Sequence, residues 1–274
     1  MAIAIILGQV KHPGSTAQCD SKWQKLDPGL ELGVFLSPRP SEIGDSLIRV
    51  LRVDPKKYEF RLLNASAPGQ GKLLTAKEWC HQNGLVAAIN ASMYQTDYRT
   101  SVSLMRAKNH TNNPRLSRDN TILAFDRQRP KFPLVKIIDR ECEDFNTWKI
   151  RYGTFIQGIR MISCTGKNVW SQQPRKWSTA AIGTDRQERV LFIHVVSPYS
   201  THDLINILKQ LPLGISRAMY AEGGPEAQLY IRSSVQEYEF TGSYETRVDG
   251  DHHRGFALPI PNVVGIAVRS GSME

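Results

Sequence analysis

Apolar and polar residues alternate twice in quick succession in the first quarter of the chain. Residues 46–53 do so, with Leu47, Val50 and Leu51 breaking the strict order, and residues 58–63 repeat the pattern. A period of two places one side of each segment against a core, so both are predicted as antiparallel strands joined by the Asp54-Pro55 turn. Leu30–Leu36 reads as a shorter strand. Residues 75–82 predict a helix, because Thr75 and Glu78 have capping-box spacing and Asn83-Gly84 supplies the stop. Residues 85–89 form a short apolar strand that runs straight into Asn90, residues 95–118 read as a long polar and basic loop, and residues 121–125 and 134–138 resume strand character.

The second half carries the clearest architecture. Residues 190–196 are a nearly continuous apolar strand; Ser200 and Asp203 repeat the capping-box spacing, and Leu204, Ile205, Leu208 and Leu211 make one helical face. Pro212 and Gly214 end that helix, and residues 217–221 form a strand that stops at Glu222-Gly223-Gly224. Strand, helix and strand in this order predict a βαβ-like unit, with a site at the carboxyl ends of its strands. Residues 263–268 supply a late strand to complete the sheet. The expected class is α+β, a single domain with a mixed, largely antiparallel sheet and a few flanking helices. Its boundaries are a loop-rich N-terminal lead-in over residues 1–45 and the domain proper over 46–270.

Composition changes this picture little. Hydrophobic residues at 41% and charged residues at 22% are globular values, and no apolar run reaches the roughly 20 residues of a spanning helix. Residues 1–10 are apolar, Lys11, His12 and Pro13 follow, and Ser15 and Ala17 suit a small-residue cleavage site. A clipped secretion signal and a plain first strand both fit; the balance tips to export, secreted or periplasmic. A formal charge of +9 favours anionic partners such as phosphorylated glycans, with a solvated basic surface as the plainer alternative. Basic residues are not interleaved with aromatics, which argues against nucleic acid. Cys19, Cys80, Cys142 and Cys164 form no CxxC, so neither a zinc ribbon nor a redox motif is indicated; disulfides and four buried thiols weigh equally.

Several residues carry candidate chemistry. Glu222 ends an apolar strand before two glycines, so a carboxylate sits at a sheet edge where the backbone of Gly223 and Gly224 turns and exposes N–H groups. Partial burial would raise its pKa, as a general acid requires; the alternative is a carboxylate that caps or salt-bridges the turn. Asn90, also at a strand end and followed by small residues, can orient a sugar hydroxyl or phosphate oxygen, or tie down its own turn. Arg160, in an otherwise apolar stretch, is a candidate for bidentate phosphate binding, against a structural ion pair with Glu222 or Asp185. His194 reads as a core histidine. His252-His253 with Asp249 and Asp251 matches no standard metal spacing, so no metal and no cofactor is expected.

Five segments in order resemble the phosphodiester glycosidase family: Ala88-Ile89-Asn90-Ala91-Ser92-Met93-Tyr94, Gln157-Gly158-Ile159-Arg160-Met161-Ile162, Thr179-Ala180-Ala181-Ile182-Gly183 with Thr184-Asp185, the helix leading to Met219-Tyr220-Ala221-Glu222-Gly223-Gly224, and Pro259-Ile260-Pro261-Asn262-Val263-Val264-Gly265. The chain departs from the family pattern at Glu222, where Asp is usual, at Pro225-Glu226-Ala227, where serines tend to follow, and at Ser178 and Leu258, where arginine is usual. The resemblance implies hydrolysis of a glycosidic bond in a glycan phosphodiester. Glu222 would then be the first catalytic carboxylate and Glu226 or Asp185 the second, with Arg160 holding phosphate and Asn90, Gly223 and Gly224 in the substrate site. The departures motivate a rival reading, a non-catalytic glycan- or envelope-binding domain that keeps the fold.

Overall fold

The computed structural model describes residues 23–234, 236–245 and 256–270. The chain opens with strands β1 (Gln24–Asp27), β2 (Leu30–Leu36), β3 (Leu47–Val53) and β4 (Tyr58–Asn64), followed by helix α1 (Ala76–Asn83) and β5 (Ala87–Asn90). Next come β6 (Met105–Ala107), β7 (His110–Asn113), β8 (Thr121–Arg127), β9 (Val135–Asp139), the short α2 (Phe145–Trp148), β10 (Tyr152–Ile162) and β11 (Trp177–Asp185). The last part holds β12 (Val190–Tyr199), α3 (Thr201–Gln210), β13 (Ile215–Gly223), a 3-10 turn (Gly224–Glu226), β14 (Gln228–Arg232), β15 (Glu237–Thr241) and β16 (Asn262–Val268).

The expected α+β class with one mixed sheet is overturned. The strands form two sheets, one of eleven strands and one of five in the order β15-β14-β5-β16-β4, and every strand pairing among the described residues is antiparallel. Among the described residues sixteen strands stand against three α-helices, so the protein is mostly β. The predicted βαβ-like unit is also corrected. Strands β12 and β13 do not pair, because β11 lies between them, antiparallel to both. Likewise β3 and β4 are not a hairpin: the turn closed by the Lys57 N–H on the Asp54 carbonyl (3.0 Å) carries the chain from the large sheet into the small one. The predicted loop over 95–118 contains the β6–β7 hairpin.

Burial follows the pleat. Phe192, Ile182, Met219 and Phe125 from the large sheet meet Phe60, Ile89, Leu229 and Val264 from the small one in a core between the sheets. The opposite face of the large sheet packs Val50, Ile193 and Ala218 on Leu204, Ile205 and Leu208 of α3. The opposite face of the small sheet packs Ala88, Val263 and Tyr230 on Trp79 and Cys80 of α1. With a helix outside each sheet, central strands are buried on both faces, which is why β5 is apolar throughout until Asn90. The helix ends form as predicted: Thr75 and Glu78 close the capping box of α1, Gly84 ends it at φ 61°, and the Ser200 side chain accepts from the Asp203 N–H.

Cys142 and Cys164 form a disulfide joining the turn after β9 to the turn after β10; Cys80 is a buried free thiol, and Cys19 lies outside the described residues. Among the described residues no helix is long and apolar enough to cross a membrane.

Candidate active site

The end of β13 is where two sheets and a tight turn meet. Its register against β11 slips between Tyr220 and Glu222, so Ala181 faces Tyr220, Ala180 faces Glu222, and Ala221 is left unpaired as a bulge. A bulge re-aims the side chain that follows it. Directly opposite residues share a face, so Glu222, Ala180, His194 and Arg49 form one row across β13, β11, β12 and β3. Gly223 tolerates no side chain, since a Cβ there would lie 1.9 Å from the Tyr220 hydroxyl oxygen and 2.7 Å from Trp177 Cδ1. Gly224 takes φ 70°, the left-handed region that disfavours side chains, and starts the 3-10 turn carrying Glu226.

Three glutamates gather at this turn. The position a Cβ would take on Gly224 lies 3.4 Å from a Glu245 carboxylate oxygen and 3.5 Å from a Glu226 carboxylate oxygen. Glu222 is buried, and burial first, then the neighbouring Glu226 and Glu245, pushes its pKa up to about 8; the Gly223 N–H, donating to Glu222 Oε1 at 3.0 Å, opposes that rise. Burial first, and then Glu222 and Glu226, also raise the phenols of Tyr94 and Tyr220. A buried carboxyl raised in this way, beside two half-exposed glutamates, has the proton that an acid needs at neutral pH.

Glu245 escaped the sequence reading because no local pattern marks it. It is brought in by Ser178, where the family usually carries arginine. The buried Ser178 hydroxyl donates to the Val196 carbonyl and accepts from the N–H groups of Ser243 and Tyr244, both at 3.1 Å. The Ser178 N–H donates to the Tyr244 carbonyl at 2.9 Å, and Trp177 bridges to Glu245.

Asn90 reaches the same turn from the small sheet. Its Nδ2 donates to the Glu226 carbonyl (2.9 Å) and its Oδ1 accepts from the Gln228 N–H (2.6 Å). His194 Nε2 lies 3.1 Å from the Ala227 carbonyl, and complete burial lowers its pKa to about 4, so the neutral ring donates there. Asn90 and His194 therefore hold the backbone that presents Glu226.

Arg160 and Asp185 are placed elsewhere. The Arg160 guanidinium binds both Asp139 oxygens (2.9 and 3.1 Å) and Glu141, an ion pair with neither of the partners expected from sequence. Asp139 also accepts from the Cys164 N–H at 2.8 Å, so it fixes the disulfide-linked turns together. Asp139, Cys142 and Cys164 lie close enough to suggest a metal group, but the sulfurs are bonded to each other and the carboxylate is taken by these donors. Asp185 sits at the far end of β11, five residues beyond Ala180, hence on the order of 17 Å along the strand from Glu222. There it accepts from the N–H groups of Gln187 and Arg189 and pairs with the Arg189 guanidinium at 2.6 Å. The structure does not bring it to Glu222. His252 and His253 lie outside the described residues.

A sequence profile of the phosphodiester glycosidase family matches residues 83–267, more than half of the chain. The chain belongs to that family. The match takes in every strand around the double-glycine turn, from β5 to β16. Among solved structures the chain is similar to the catalytic domain of zebrafish N-acetylglucosamine-1-phosphodiester alpha-N-acetylglucosaminidase, auto-inhibited by its pro-peptide. That match has a TM-score of 0.63 at 14% identity and covers 91% of this chain and 87% of the other. A hypothetical protein from Synechocystis is similar with a TM-score of 0.55 at 14% identity, over 88% of this chain and 62% of the other. At such identities the likeness is one of fold. No curated protein sequence matches the chain.

Proposed function

We propose that the protein hydrolyses a glycosidic bond in a glycan phosphodiester, with Glu222 as general acid. The observation that carries this is the buried Glu222 carboxyl, raised to about 8, at a turn shared with Glu226 and Glu245. In the reaction Glu222 gives its proton to the bridging oxygen as the bond from that oxygen to the anomeric carbon breaks. The phosphate-bearing fragment leaves with that proton. Water adds its oxygen to the anomeric carbon and passes a proton to the second carboxylate, Glu226 or Glu245. Family membership supports the reaction class, and the zebrafish relative's name supports a sugar 1-phosphodiester as the substrate type. The Cys142–Cys164 disulfide supports a secreted or periplasmic setting, where disulfides persist.

The test is a screen of purified protein against aryl glycosides and sugar phosphodiesters, with Glu222→Gln as control. The amide keeps the shape and cannot donate a proton, so turnover should drop by roughly 10²- to 10⁴-fold with the fold retained. Turnover within a few-fold of the parent protein would remove Glu222 from the acid role. One observation favours a second reading, a glycan-binding domain without catalysis: the Asn90 amide and Arg160 Nη1, on two residues expected to touch substrate, are engaged by the protein itself. Specific glycan binding with no turnover of any substrate would select that reading.

A further inference from the structure

Five chain segments come together at the end of the small sheet remote from Glu222 and enclose a hollow of about 530 Å³. That volume lies in the range of about 300–1,000 Å³ usual for small-molecule sites. Strand β14 runs from Gln228, next to the Glu222 turn, to Arg232 at the hollow, roughly 13 Å away along the strand. The walls are preformed. Gly84 ends α1 at φ 61° and turns the chain so that Leu85 and Val86 lead into β5. The Val86 N–H donates to the Ile266 carbonyl (2.7 Å), and the Val86 carbonyl accepts from the Arg232 N–H (2.6 Å). The Leu85 side chain fills the space that a Cβ on Gly265 would need, 2.3 Å from Leu85 Cδ1.

Pro28, Tyr58, Leu85, Val86 and Val268 make the lining mostly apolar, and Val268 is 52% exposed, so apolar area stays open to water at the rim. Lys57 and Arg232 bring positive charge to the same walls and Asp27 negative charge. Both Asp27 oxygens are taken, one by the Ser234 hydroxyl (2.6 Å) and one by the Ser234 N–H (3.2 Å). Among the described residues the Lys57 ammonium forms no ion pair and no hydrogen bond. Arg232 has only a loose contact with Glu237, 3.9 Å between exposed side chains. Tyr58 is buried, and its hydroxyl makes no hydrogen bond among the described residues. Burial, then the Asp27 charge, pushes this phenol up to about 12, so it remains a donor at neutral pH. Donors without acceptors beside an apolar wall match an amphipathic anion. The Asp27 charge nearby favours one negative charge over two, hence a carboxylate over a phosphate monoester.

We propose that this hollow binds a small amphipathic carboxylate, its apolar body against Leu85, Val86 and Val268 and its carboxylate accepting from Lys57, Arg232 and the Tyr58 hydroxyl. The site is separate from the Glu222 turn and stands whether or not Glu222 acts as a general acid.

Fluorescence titration of the full chain with 2-naphthoate and 2-naphthalenemethanol tests this, with acetate as competitor. The two naphthyl ligands share a body and differ in charge, whereas acetate keeps the charge without the body. Naphthoate should bind more tightly than the alcohol, and acetate at equal concentration should not displace it. Lys57→Gln and Arg232→Gln should each weaken naphthoate roughly three- to tenfold, as charge-assisted bonds at a partly exposed rim do, and leave the alcohol unchanged. Val268→Glu should weaken naphthoate most, because it adds a like charge and removes apolar wall. Arg232 and Val268 are exposed and Lys57 is half-buried, so the three substitutions should leave the fold intact, which melting curves check. Failure of naphthoate to bind, an alcohol that binds as tightly as naphthoate, displacement by acetate, or affinities indifferent to all three substitutions would each overturn the site.

Discussion

The Asn90 side chain clamps both flanks of Ala227: its amide nitrogen donates to the carbonyl of Glu226, and its oxygen accepts from the N–H of Gln228. One buried residue on the small sheet thus fixes the backbone that carries a glutamate at the end of the large one. Asn90→Ala leaves a carbonyl and an N–H without partners in a dry setting, at about 1–3 kcal/mol each. Urea unfolding should show a loss of roughly 2–6 kcal/mol, with the slope unchanged. A loss below about half a kcal/mol would mean that water or a rearranged chain replaces both bonds.

Elements whose cause is local were legible in the chain. Thr75 with Glu78 and Gly84 delimit α1 because capping is settled within a few residues, and the alternation of Leu30–Leu36 marks β2 because its pleat has one outer side. Pairing was not legible. Residues 46–53 and 58–63 look like a hairpin, yet each finds its neighbours far along the sequence, in β2 and β12 or in β16. The helix after β12 suggested a βαβ unit because nothing in its own sequence reveals that β11 takes the place between. At the site, the strand-end signal placed Glu222 and Asn90 at the turn, but the third carboxylate depends on a serine 67 positions earlier, Ser178, holding the segment before Glu245. Arg160 had a nearby carboxylate as partner, Asp139, that only the β8–β9 and β8–β10 pairings bring across.

Stability should depend on pH in two opposed ways. Glu222 titrates at about 8 when folded against 4.5 as its ordinary value, so the folded state holds an extra proton between them. The associated stability is fully present below 4.5 and lost as pH rises through 8. His194 titrates at about 4 against an ordinary 6.5, so its share is present above 6.5 and lost as pH falls through 4. Between 4.5 and 6.5 the two slopes oppose, which masks both in the parent protein. Unfolding measured at about pH 4, 6.5 and 9 separates them: Glu222→Gln should gain on the parent at alkaline pH, and His194→Gln should gain at acid pH, each by a few kcal/mol. A difference from the parent that stays flat with pH would show that the group in question is not buried in the state proposed.

Arg160 separates scaffolding from substrate binding. The Asp139 side chain it grips is 2% exposed, whereas that of Glu141 is 61% exposed, so the Asp139 pair dominates. Arg160→Met strands a buried carboxylate and should cost on the order of 3–5 kcal/mol, read as a lowered melting temperature. Activity on a sugar phosphodiester and on an aryl glycoside should then fall together. Selective loss on the phosphodiester with an unchanged melting temperature would return Arg160 to the phosphate.

Ser178 should control the alkaline limb of activity. Its hydroxyl satisfies the Val196 carbonyl and the N–H groups of Ser243 and Tyr244, and this is what seats Glu245 beside the Gly224 turn. Glu245 is one of the charges that raise the Glu222 pKa, after burial and Glu226. Ser178→Ala leaves the Tyr244 carbonyl bond from the Ser178 N–H in place but removes the three bonds that the hydroxyl makes. The 243–245 segment then sits less firmly, and Glu245 contributes less field at Glu222. A general acid works only while protonated, so activity falls as pH rises through its pKa. The alkaline midpoint should therefore move down from about 8 in Ser178→Ala, while Ser178→Thr, which keeps the hydroxyl, should stay near the parent value. Glu245→Gln should shift the midpoint in the same direction without the loss of stability that Ser178→Ala brings. If neither Ser178→Ala nor Glu245→Gln moves the alkaline limb, Glu245 does not act on the acid, and burial with Glu226 alone sets its proton affinity.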